Sequence, residues 1–145
     1  MKQEYLDNIL EGHKLWLESL GTKGTCADLS HADLRGCDLS GCNLEAADLS
    51  HADLSHAKLR CSILAFAKLC GADLRNARLR GSDLAETDLR RSNLAMADLS
   101  GCCLAGSDLR LADLFGTNFD SANLEGADFR GADLTNVKGV KEWNY

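Results

Sequence analysis

Seven cysteines, four histidines and 22 Asp+Glu are the groups in this chain that could ligate a metal, form disulfides or move protons. Their spacing favours none of these. Cys26, Cys37, Cys42, Cys61, Cys70, Cys102 and Cys103 form no C-x-x-C, and their number is odd, so free thiols in a reducing compartment, the cytoplasm, are expected. Nucleophile elbow, P-loop, H-E-x-x-H and dinucleotide fingerprints are absent from the sequence. His13 stands away from any nucleophile motif, and His31, His51 and His56 lack a third ligand at metal-site spacing. No catalytic residue, metal or cofactor is expected.

The elements that must carry these residues follow from a period of five. Leu or Phe recurs at every fifth position from Leu29 to Leu134, 22 times without a break, and only Phe119 and Phe129 are not Leu. Two residues before each stands Ala, Ser, Thr or Cys, and the residue between is mostly Asp or Asn. A helix would scatter these leucines, because five residues turn about 140° at 3.6 residues per turn. One long strand would send successive leucines to opposite faces. The pattern suits very short strands separated by corners. The small residue and the Leu then point inward, the Asp/Asn points outward, and the last two residues turn the chain. Gly suits such corners because they need positive φ, and Asn76 and Asn136 tolerate it. Stacked coils also explain the complete absence of Pro, which would remove a donor from each ladder. Cys37, Cys42 and Cys102 occupy the small slot and are assigned to packing.

This A-(D/N)-L-x-x tandem resembles the pentapeptide-repeat family. The resemblance implies an all-β chain: a right-handed quadrilateral parallel β-helix with four units per coil, about five and a half coils here. It divides the chain into a helical N-terminal cap over 1–26, the array over 27–136 and a C-terminal cap over 137–145. Leu6, Ile9, Leu10, Trp16, Leu17 and Leu20 form a helical stripe that can lie on the first coil, and Gly21 is the expected helix stop. At the other end the pattern fails at Gly139, and Val137, Val140, Trp143 and Tyr145 offer an apolar lid. The resemblance also implies, from some gyrase-targeting members of the family whose C-terminal end forms a dimer interface, that the same residues could pair two rods as a homodimer.

Function is then expected on the outside of the rod. Residues twenty apart share a side. The side of Asp33, Asp53, Asp73, Asp113 and Asp133 has only Arg35 and Arg75 against it, and the side of Glu45, Asp83, Glu86 and Glu125 has no base. The side beginning at Ala27 balances its aspartates with Lys68, Arg90, Arg91, Arg110 and Arg130. The remaining side is the basic one, with Lys58, Arg60, Arg78 and Arg80 against Asp38, Asp98 and Asp120. Two exposed apolar clusters are expected, Ile63 with Phe66, and Met96 with Leu111 and Phe115, as a partner or dimer surface.

A non-enzymatic rod that binds another protein is therefore expected. The resemblance also implies an alternative, a DNA-mimicking binder of a type II topoisomerase such as DNA gyrase, with the Asp33 to Asp133 ladder as its face. A net charge of -6 spread over roughly 26 Å of rod is sparser than the one charge per about 1.7 Å of duplex DNA. The acidic balance argues against direct nucleic-acid binding. No apolar run reaches the ~18 residues of a membrane span, and the first residues lack a signal-peptide pattern, so no membrane role is expected.

Overall fold

The computed structural model describes residues 1–140. Each central residue of a unit bridges, in parallel, to the residue twenty positions later, from Asp28↔Asp48 through Asn118↔Lys138. The bridges fall into four ladders, so each coil has four sides of one pentapeptide. Leucines from Leu34 to Leu114 line the interior with essentially no exposure. Phe119 and Phe129, two units apart, meet edge to face at 6.1 Å and fill the interior near the far end.

Five N–H groups per unit must find acceptors, and a unit of the usual composition finds all five. In the unit Ala52–His56, the Ala52 N–H closes a turn onto the Leu49 carbonyl. Asp53 donates back to Ala32, while Leu54 and His56 donate forward to Asp73 and Arg75. The fourth N–H, of Ser55, has no backbone partner and goes to the Asp53 Oδ1 at 3.0 Å. This side-chain turn recurs in 17 of the 22 units. Asp or Asn is thus the unit's fifth acceptor, and its frequency needs no ligand to explain it.

The corners depart from expectation. The last residue of every unit has positive φ, yet in 13 of the 22 it is not Gly. Phe66, Met96, Leu111, Arg91 and three histidines accept the left-handed conformation at φ between 57° and 61°. None of the 13 is β-branched, the class that pays most for positive φ. Several large corner residues stand over a glycine one coil on. A Cβ on Gly116 would come 2.5 Å from the Met96 Sδ, and one on Gly131 would come 2.7 Å from Leu111 Cδ2.

Helix α1 spans Gln3–Glu18 and buries Leu6 in the core, with Ile9 and Leu10 packed beside it. Leu20, expected on the buried stripe, is instead 93% exposed. It takes φ 54° itself, one residue before Gly21. The Leu20 N–H donates to the Leu17 carbonyl and the Gly21 N–H to that of Trp16, so the helix ends in a Schellman turn begun by Leu20. At the far end, Leu124, Phe129 and Leu134 are half-buried, with Val137 and Val140 packed against the core. The ladder continues to Lys138, two residues beyond the expected boundary. Gly139 breaks the pattern because a Cβ there would lie 2.3 Å from the Asp120 amide nitrogen. Trp143 and Tyr145 lie outside the described residues.

Candidate interaction surface

The five apolar residues singled out above are all exposed: Phe66 59%, Met96 54%, Leu111 52%, Phe115 41% and Ile63 38%. Ile63 sits mid-side between Asn43 and Asp83, with Phe66 at the adjoining corner. The second cluster is divided. Met96 donates its N–H to the Phe115 carbonyl at 2.8 Å, so these two share a corner on successive coils. Leu111 stands at the preceding corner, over Gly131. Leu111 and Phe115 therefore flank the Asp113 position of the acidic side.

That acidic ladder is real in register, with Asp33, Asp53 and Asp73 bridged in turn, and Asp113 to Asp133. Asn93 interrupts it. Its carboxylates are not free, however. Asp33 pairs with Arg35 at 2.7 Å, Arg35 also reaches Asp53 at 3.8 Å, and Arg75 pairs with Asp73. The Asp73 carboxyl is held below its ordinary range first by its hydrogen bond from Arg75. Asp113 and Asp133 have no ion pair among the described residues, but each accepts the N–H two residues on.

The side of Asp88 carries a continuous ladder of alternating charge. Arg90, Arg110 and Arg130 each grip their own aspartate through Nε and a terminal nitrogen, and Arg90 and Arg110 also approach the next aspartate at 3.7 Å. Asp128 is brought down to about 2, chiefly by the Arg130 guanidinium. A groove of about 490 Å³ runs along these arginines, with Arg91, Leu111 and Cys70 on its walls.

The other candidate chemistry resolves into structure. All seven cysteines are free thiols. Cys102 is buried, its Sγ lying 3.0 Å from the Leu79 carbonyl, and burial pushes its pKa up to about 12. Cys37 and Cys42 fill the small slot in the first coil, half-buried. His31 and His51 stack with centroids 5.1 Å apart and planes at 15°. Ring lone pairs lie in the ring plane, so stacked imidazoles do not converge on one ion. Among the described residues no group of three or more His, Cys, Asp and Glu could hold a metal, and no helix there is long and apolar enough to cross a membrane.

One residue that sequence reasoning passed over is central. His13 is fully buried, stacks on Trp16 at 5.8 Å, and its Nδ1 accepts the Ala27 N–H at 3.0 Å. The signal was its place on the apolar stripe of α1, one turn beyond Ile9 and Leu10.

The sequence profile of pentapeptide repeats matches residues 20–41, 37–76, 72–110 and 112–138, in eight copies. No curated protein matches significantly. Among solved structures, the chain is similar to a pentapeptide repeat protein from the Arabidopsis thaliana thylakoid lumen, at 30% identity and TM-score 0.47, over 71% of this chain and 65% of that one. It is similar also to HetL, a pentapeptide repeat protein involved in heterocyst differentiation regulation in Nostoc, at 31% identity and TM-score 0.46, over 77% and 63%. QnrB1, a plasmid-mediated fluoroquinolone resistance protein, aligns at 23% identity and TM-score 0.45, over 76% and 58%. The chain thus spans less than two thirds of the length of each. With matched repeats over most of its length and a parallel register of twenty, a right-handed β-helix in the family's terms, this chain belongs to the pentapeptide-repeat family.

Proposed function

We propose that this chain is a non-enzymatic rod that binds another protein through its outer surface. Its parts are the α-helical cap over 1–26, about five and a half coils over 27–136, and a C-terminal cap over 137–145. Ile63, Phe66, Met96, Leu111 and Phe115 are the partner-facing residues. The observation that carries this reading is the position of three of them. Phe66, Met96 and Leu111 occupy left-handed corners where Gly is the less strained residue, and more than half of each side chain faces solvent. Met96 and Leu111 gain some cover over Gly116 and Gly131, whereas the residue one coil beyond Phe66 is Glu86. Large apolar groups kept at a conformational cost on a polar rod suit a binding surface. Replacing both Met96 and Phe115 by Ser is expected to preserve folding and to reduce partner association. Unchanged sedimentation and unchanged partner capture would refute the assignment.

A second reading, DNA mimicry toward a type II topoisomerase, is favoured by the stacked carboxylates of Asp33, Asp53 and Asp73, and of Asp113 and Asp133. The pairing of three of them with Arg35 and Arg75 weighs against it. A gyrase supercoiling assay tests it. Mimicry predicts inhibition that fades as salt rises, and no effect at low salt removes it. The half-buried Leu124, Phe129 and Leu134 support Val140, Trp143 and Tyr145 as lid or dimer contact, which sedimentation equilibrium tests.

A further inference from the structure

Five units lack the side-chain acceptor for their fourth N–H: those centred on Lys58, Ile63, Lys68, Arg78 and Cys103. Two of the five face each other. Lys58 and Arg78 are bridged across adjacent coils, and Arg60 and Arg80 follow them at the same corner. Four cations thus occupy a two-by-two patch on one side of the rod. Lys58 reaches Asp38 at 3.6 Å, while Arg60, Arg78 and Arg80 have no ion pair among the described residues. The backbone N–H groups of Arg60 and Arg80 likewise have no acceptor there.

This patch breaks two local rules at once. Like charges directly opposite in a ladder are destabilising, and each unit forgoes the hydrogen bond that Asp or Asn supplies elsewhere. Arg90, Arg110 and Arg130 give the contrast, since each is neutralised by the aspartate of its own unit. Departures from local consistency without internal compensation mark functional surface.

We propose that this side docks an acidic peptide segment of a partner protein. Its carboxylates meet Lys58, Arg60, Arg78 and Arg80 and accept the N–H groups of Arg60 and Arg80, taking the role that aspartate plays in other units. The inference rests on the reading of the rod as a protein-binding surface and names the chemistry of what it binds. A groove of about 410 Å³, lined by His56, Asn76, Ala77, Arg78, Met96 and Asp98, adjoins the patch at Arg78 and gives the segment a polar path beside the cations. A short segment fits better than a long polyanion. Asp38 and Asp98 close the patch above and below, and the net charge of -6 repels extended nucleic acid.

The test is fluorescence anisotropy with a rhodamine-labelled decapeptide of alternating Glu and Ser at low ionic strength. Saturable binding is expected, with none for the matching Lys-Ser peptide. Arg78→Asp should weaken it by about tenfold, the scale of one charge-assisted contact. The same substitution restores the turn acceptor, so thermal stability should hold or rise. Arg80→Gln, which leaves the turn chemistry alone, should also weaken binding, and Arg130→Gln should not. Absence of saturable binding, equal loss in Arg130→Gln, or tighter binding of a 20-base-pair duplex would overturn the proposal. Failure of the protein-binding reading itself shows separately, as unchanged capture and sedimentation in the Met96 and Phe115 variant.

Discussion

His13 Nδ1 accepts the backbone N–H of Ala27 at 3.0 Å, tying α1 to the first residue of the array. The bond exists only in the neutral imidazole, because a protonated ring has no acceptor to offer. Burial pushes the His13 pKa down, against a smaller opposing pull from Glu45.

The helix contact is therefore expected to be pH-dependent. With the folded value below the unfolded 6.5, the contribution is fully present above about pH 6.5 and is lost as pH falls toward the folded value. Trp16 fluorescence across a titration from pH 8 to 5 should report the helix loosening. His13→Asn, which keeps an acceptor and removes the titration, should flatten that curve. An unchanged curve in this variant would count against the role.

The central Asp or Asn acts first as a turn acceptor. Asp113 makes no ion pair among the described residues, so it isolates that role. Asp113→Ala should cost about 1 kcal/mol, and Asp113→Asn should stay near wild type in thermal melts. Equal losses in both would assign the position to charge instead.

Acid should act late. Asp73, Asp88 and Asp108 lie below their ordinary value through arginine hydrogen bonds, and Asp128 falls from 3.8 to about 2. Their contribution is present above about pH 4 and disappears as pH falls through the folded values. The acid transition, followed by circular dichroism at fixed salt, should move to higher pH in Arg110→Gln. These pairs are exposed, so the movement should be small.

Large corner residues and the glycines beneath them form units. Gly116→Ala should destabilise by about 1 kcal/mol or more, from positive φ and from contact with Met96 Sδ. Met96→Ala added to it should recover the steric share but not the conformational share. Additive losses in a double-mutant cycle would show the two residues to be independent.

Much of this was legible in the period of five. A leucine every fifth residue admits neither helix nor continuous strand, so inward leucines on short stacked strands followed directly, whereas the four units per coil came from the family resemblance. The corners were less legible. Gly and Asn announce positive φ, but Phe66, Met96 and Leu111 take it under the demand of the stacked ladder, and nothing local in their chemistry signals that. The Asp ladder read as surface charge because the orphan fourth N–H appears only when the hydrogen bonds of a whole coil are assigned. His13 was obscured because a helical histidine shows its burial only against the first coil. The Lys58, Arg60, Arg78 and Arg80 cluster was visible as charge. What marks it out is the missing acceptor, which needs the turn geometry.

The central claim is that the exterior apolar residues serve binding rather than folding, and replacing Phe66, Met96 and Leu111 together by Gly addresses it most directly. Thermal stability and partner association would be measured on the same preparation. The account predicts a melting temperature that holds or rises, because three left-handed positions are relieved, together with loss of association. A fall in melting temperature with association intact would contradict it.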